Sequence, residues 1–122
     1  MREKLIINTK TWLHREGGGV SILLRKGDGQ RCCLGIYLQD NCGVSPDVLR
    51  GISSPDLLPV SLRDTLPDWL MGRDRFNTVI TEDLMSANDR TDSTEADVRE
   101  EIRRLFAKVE VEVIYADGVD KE

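Results

Sequence analysis

Near the C-terminal end, Val109-Glu110-Val111-Glu112-Val113-Ile114-Tyr115 places Val109, Val111, Val113 and Tyr115 at every second position. That period of two is the pattern of a strand with one buried face. The glutamates between them suit the solvated face. A strand cannot stand alone in water, because it leaves its backbone hydrogen-bonding groups unmet. Whatever else this chain does, it must bring a second extended segment to these residues. Val20-Ser21-Ile22-Leu23-Leu24 is the other short apolar run that could be extended, either as a strand or as a loop pinned to the core. The fold expected is therefore α+β. It is a predominantly helical single domain over 1–116 with a short sheet contribution from the C-terminal strand, and 117–122 form a frayed tail.

The remaining segments read as helix or connector. Leu5, Ile6, Thr9, Trp12 and Leu13 fall at helical spacing, with Glu3 near the start and His14 and Arg15 near the end, so a helix is expected over 3–15. Gly17-Gly18-Gly19 would stop it, and Lys26-Gly27-Asp28-Gly29-Gln30 is a turn by composition. Cys32-Cys33-Leu34-Gly35-Ile36-Tyr37-Leu38-Gln39-Asp40 is mostly apolar and ends at Asn41-Cys42-Gly43, which favours a buried helix. Gly35 lowers its helix propensity by about 1 kcal/mol, a cost that makes sense if another backbone packs there. All four prolines lie in 44–72, among Leu57, Leu58, Val60, Leu62, Leu66, Trp69 and Leu70. That stretch should wrap the core as an ordered connector with short helical turns. A further helix is expected from Thr78 to Asn88, with Val79, Leu84, Met85 and Ile80 as its inward candidates. Asp89 to Ser93 read as a turn. Thr94-Glu95-Ala96-Asp97 has capping-box spacing and opens a last helix whose apolar face is Val98, Ile102, Leu105 and Phe106.

Charge narrows the function classes. The chain of 122 residues carries a net charge of −5. Residues 1–40 hold seven Lys/Arg against four Asp/Glu, and the remainder holds ten against eighteen. A general nucleic-acid binder shows the opposite sign, since phosphate neutralisation supplies most of its affinity, so direct nucleic-acid binding is not expected. No apolar run approaches the length of a membrane span, and the first residues lack the apolar core of a secretory signal. The expectation is a cytoplasmic protein with no membrane contact.

Reactive chemistry finds little support. Cys32, Cys33 and Cys42 with the sole histidine, His14, lack the paired spacing of a zinc site, so no metal and no cofactor are expected. A cysteine nucleophile needs a positioned base, and nothing in the chain supplies a third triad member. The bland reading of the thiols is reduced and buried. Gly17-Gly18-Gly19 lacks the strand before it and the Gly-Lys-Ser/Thr after it that a phosphate loop requires. Asn88-Asp89 reads first as a turn-forming pair that orients two helices, and second, with Cys32 and Cys33, as an alternative ligand site.

The sharper signal is acidic. Residues 82–101 hold eight acidic groups, namely Glu82, Asp83, Asp89, Asp92, Glu95, Asp97, Glu100 and Glu101, against Arg90 and Arg99. Of these, Glu82, Asp83, Asp89, Asp92, Asp97, Glu100 and Glu101 form the candidate binding face. Such a face could dock on a basic protein surface, with electrostatics setting on-rate and specificity.

Arg31-Cys32-Cys33-Leu34-Gly35-Ile36, then Leu58-Pro59, then Leu84-Met85-Ser86-Ala87-Asn88-Asp89 and a Thr94-led helix together resemble a family of small uncharacterised proteins of tailed bacteriophages and prophages. Its pattern is a "CCLG" helix, a Leu-Pro middle and an Asn-Asp helix end. The resemblance spans roughly residues 12–106. This chain departs from it in having Arg90-Thr91-Asp92 where glycines are usual, and in continuing past the last helix. The resemblance implies a phage or prophage accessory protein of mostly helical fold, acting in the cytoplasm of a bacterial host cell. It brings no active site. Together with the acidic run, it leads to the expectation of a non-enzymatic protein that binds a host protein with a basic surface. Inhibition of a host defence system, as anti-CRISPR proteins achieve, is the concrete form. The alternative is a small-molecule-binding or minor enzymatic protein built on Cys32, Cys33, Asn88 and Asp89.

Overall fold

A computed structural model of the chain describes residues 3–10, 12, 23–24, 30–52, 55–71, 79–89 and 94–116. The architecture is a small α+β domain in which helices pack on one face of a two-stranded parallel sheet. The strands are β1 (Glu3–Asn8) and β2 (Val111–Ala116), in a register that runs from Glu3↔Val111 to Asn8↔Ala116. The N–H groups of Glu3 and Thr9 donate to the carbonyls of Glu110 and Ala116, extending the ladder at both ends. The C-terminal strand forms with Val111 and Val113 buried and Glu112 exposed, but it starts two residues later than its pattern suggested: Val109, expected on its buried side, lies in the turn before it.

Its partner is a correction. The helix expected over 3–15 is a strand over Glu3–Asn8. Leu5 and Ile7 are buried while Lys4 and Ile6 face out, which is period two rather than 3.6. Tertiary pairing decided the matter: β-branched Ile6 and Ile7 suit a pleated surface, and β2 needs the peptide groups of alternate residues in this segment. Of the 20–24 run, only Leu23 and Leu24 are described. Both are buried, and they form no strand. They are pinned by bonds from Leu23 N–H to the Ile52 carbonyl and from Gly51 N–H to the Leu24 carbonyl. His14, the triple glycine, the 25–29 turn, residues 90–93 and the 117–122 tail lie outside the described residues.

Between the strands runs the helical part. Helix α1 (Cys33–Ile36) continues into a wider π-helical turn over Tyr37–Asn41, and 32–38 are buried throughout. Gly35 is required by the neighbour that the sequence hinted at. A Cβ built there would lie 1.8 Å from the Leu23 carbonyl oxygen, so the 23–24 segment crosses α1 at backbone contact. The proline-rich stretch forms α2 (Pro46–Leu49), capped by Ser45, a short 3₁₀ turn at Pro55–Leu57, and α3 (Val60–Arg63). Helix α4 (Ile80–Asp89) buries Ile80, Leu84, Ala87 and Asn88. Val79, an expected inward residue, precedes the helix and is exposed. Helix α5 (Glu95–Ala107) starts at the Thr94 hydroxyl, which accepts from Asp97 N–H, and buries the expected Val98, Ile102, Leu105 and Phe106. Tyr37, Trp69 and Phe106 meet with ring centroids 5.2 to 5.9 Å apart, tying the wrapping segment to α1 and α5. Among the described residues, no helix is long and apolar enough to cross a membrane.

Candidate functional site

The alternative ligand site resolves into a structural joint. Asn88, at the C-terminal end of α4, is fully buried. Its side-chain oxygen accepts from the Trp12 indole N–H at 2.8 Å and from the Cys33 backbone N–H at 3.1 Å. The Asn88 amide N–H donates to Asp89 Oδ1 at 3.3 Å. Cys32 precedes α1 and provides no side-chain cap. An unmet N–H at the first turn of α1 is thus satisfied by a residue of another helix. Cys33 and Asn88 are brought together, but as donor and acceptor inside the core. Asp89 is half-buried beside them.

The thiols are equally enclosed. Cys32 and Cys33 are both inaccessible. Burial pushes the Cys32 thiol up to about 11, with the Asp89 charge adding to the effect. Burial also drives Cys33 well above the ordinary thiol value, helped by Cys32 and Asp89. The half-buried Cys42 is raised to about 11, again by burial first and then by the Glu3 charge. Nucleophilic cysteines show the reverse, a thiol lowered by cations or a helix N-terminus. Among the described residues, no group of three or more His, Cys, Asp or Glu side chains could hold a metal ion.

Of the acidic residues, Glu82, Asp83, Asp97 and Glu100 are exposed, and Asp89, Glu95 and Glu101 are half-buried. Glu82 and Asp83 sit in the first turn of α4, and Asp97 sits in the first turn of α5. Acids favour these positions because the helix N-terminus is electropositive. Among the described residues, no ion pair reaches these three. Further along α5, Glu95 pairs with Arg99, Glu100 with Arg103 at 2.9 Å and Glu101 with Arg104 at 2.7 Å. Arg103 and Arg104 lie just past the acidic run, so a count that stops at residue 101 overstates its charge. Asp92 lies outside the described residues.

One feature escaped sequence reasoning. Between α5 and β2 lies an open groove of about 670 Å³, walled by Ala96, Arg99, Glu100 and Arg103 and by Glu112 to Tyr115. The Tyr115 hydroxyl donates to the Arg99 carbonyl at 2.9 Å. Its ring lies under the guanidinium groups of Arg99 and Arg103 at 5.0 and 5.6 Å, a cation–π arrangement. Burial raises the Tyr115 phenol above its usual value, against the pull of the two arginines. The signal available in the sequence was the i,i+4 arginine pair on a helix that returns at once into a strand.

Comparison of the chain with protein-family models, with curated proteins and with solved structures finds no match.

Proposed function

We propose that this chain is a phage- or prophage-type accessory protein that acts by binding a host protein rather than by catalysis. In this reading the exposed acidic turns at Glu82, Asp83 and Asp97 meet a basic surface, and inhibition of a host defence system is the concrete form. The observation that carries it is the withdrawal of three of the reactive candidates into the core. Cys32, Cys33 and Asn88 are all fully buried, while the surface keeps unpaired acids on a chain of net charge −5. The small-molecule reading has less support, since Cys33, Asn88 and Asp89 bond to one another and Cys32 is fully buried.

The test is affinity capture from a bacterial lysate followed by binding kinetics on the captured protein. Reversal of Glu82, Asp83 and Asp97 to lysine should slow association more than it speeds dissociation. Added salt should weaken binding, as exposed charges are screened beyond about 8–10 Å. Affinity that ignores both salt and charge reversal would sink the proposal. So would a bait that returns clean while a metabolite raises its melting temperature.

A further inference from the structure

We infer that the outer edge of β2 pairs with the same edge of a second copy of this chain, extending the two-stranded sheet to four strands across a two-fold axis. The inference goes beyond the acidic-surface reading and uses none of Glu82, Asp83 or Asp97.

The direction of the peptide groups comes first. The Glu110 and Ala116 carbonyls accept from Glu3 and Thr9 of the β1 side. Backbone groups alternate along a strand, so Glu112, Ile114 and Ala116 turn theirs towards β1. Val111, Val113 and Tyr115 turn theirs away, and none of these outward groups has a hydrogen-bond partner among the described residues. The outer edge of β1 differs, because Asn41 donates to the Lys4 carbonyl there at 2.9 Å. Among the described residues, the outer edge of β1 carries that one covering bond and the outer edge of β2 carries none. An open edge is a template for another strand.

The occupant follows from charge and from two isoleucines. The groove beside the open edge is lined by Arg99 and Arg103 against Glu100 and Glu112. Its lining is locally neutral on a chain of net charge −5, so these side chains add no net repulsion between two copies that meet here. On the outer face of the sheet, Ile6 is 56% exposed and its register partner Ile114 is 38% exposed. Let two β2 strands run antiparallel with Ile114 opposite its counterpart. Val113 and the counterpart of Tyr115 then exchange hydrogen bonds, and Glu112 meets Ala116 rather than another glutamate. Ile6, Ile114 and their two counterparts form one apolar row across four strands, with Ile114 and its counterpart at the close spacing of a non-hydrogen-bonded antiparallel pair. Such a contact is self-complementary, as a two-fold interface must be. An unrelated extended peptide would meet the same edge but would offer no set partner for the isoleucines.

Sedimentation equilibrium on the full chain, from low micromolar to several hundred micromolar, is the test. The mass should rise from 13.8 kDa to twice that value. Amide exchange at Val113 and Tyr115 should slow as concentration rises, while that at Ile6 should not. Ile114→Lys, at an exposed position, should keep the melting temperature and weaken association by roughly tenfold or more. The exchange measurement needs no variant, so it decides the matter even if Ile114→Lys fails to fold. A mass of 13.8 kDa at every concentration overturns the inference. So does a dimer indifferent to Ile114→Lys whose Val113 and Tyr115 amides exchange at the monomer rate. A monomer that still captures a host protein through its acidic turns would overturn this inference alone, leaving the proposed function standing.

Discussion

Strands β1 and β2 are the same length, share one ladder and bury the same alternate positions, yet only one is legible. In β2 the exposed positions between the buried valines include Glu112, with Glu110 just before the strand, so polarity itself marks the period. In β1 the exposed position between Leu5 and Ile7 is another isoleucine. Leu5-Ile6-Ile7 then fits a helical face as readily as a strand, especially with Thr9, Trp12 and Leu13 downstream. A strand announces itself when its solvent face is polar. When its solvent face is apolar, the announcement is lost, and the exposed apolar residue asks what else covers it.

The largest expected effect tests β1 directly. Ile7→Ala should cost about 2–5 kcal/mol, as buried large-to-small changes do, because Ile7 is fully buried. Ile6→Ala should stay within about 0.5 kcal/mol at concentrations where the chain is monomeric. Urea denaturation of both variants checks the pair. Comparable losses at the two positions would mean that the segment does not alternate and that the strand assignment is wrong.

The buried helix between the strands gives a contrasting case, since both its form and its burial are legible. Its apolar run and the stop at Asn41-Cys42-Gly43 point to a buried helix, and Gly35, costly to a helix by itself, points to the backbone packed against it. The consequence for stability runs through the thiols. With the Cys32 thiol raised from an ordinary value of 9.0 to about 11 in the fold, the unfolded chain loses its proton first as pH rises. Stability is therefore fully present below pH 9 and declines up to about pH 11. About 2–3 kcal/mol is at stake from Cys32. Thermal melts of the wild type should fall across that window, and those of Cys32→Ala should fall less. A flat profile would show that the thiol is accessible in the native state.

What lay beyond sequence reading is long-range pairing. No local pattern says that Asn88 caps a helix fifty-five positions earlier in the chain, or that β1 lies beside β2 at the other end of the chain. The Asx pair at 88–89 was legible as structural, but its partners Trp12 and Cys33 were not. Nor was the neutralisation of α5, because a charge count along the chain does not see which Arg and Glu face each other. Asn88→Ala should leave two buried donors unmet, costing about 1–3 kcal/mol. Asn88→Asp should keep the acceptor but bury a charge, and it should be no better. Loss of binding to a captured partner with stability unchanged would return these residues to a functional role.

The smallest effect concerns the way into β2, where the comparison is most finely balanced. Glu110 has a φ of 65°, the left-handed region, and is the only non-glycine among the described residues to do so. That geometry costs a side chain with a Cβ roughly 1–2 kcal/mol. It follows Lys108 and Val109, whose N–H groups bond back to the end of α5, so the chain reverses direction there in three residues and presents the Glu110 carbonyl to Glu3. Glycine at this position would relieve the strain but lose more entropy on folding, whereas asparagine tolerates the conformation without that loss. Glu110→Asn should therefore raise stability by about 0.5–1 kcal/mol, read as a rise in melting temperature at pH 7. Removing one carboxylate from an acidic chain works in the same direction, so Glu112→Gln, at an exposed strand position with ordinary φ, is the control for charge alone. If the two variants gain equally, the left-handed turn stores no strain. A larger gain for Glu110→Asn would show that β2 forms its ladder with β1 against a cost held at the residue just before it.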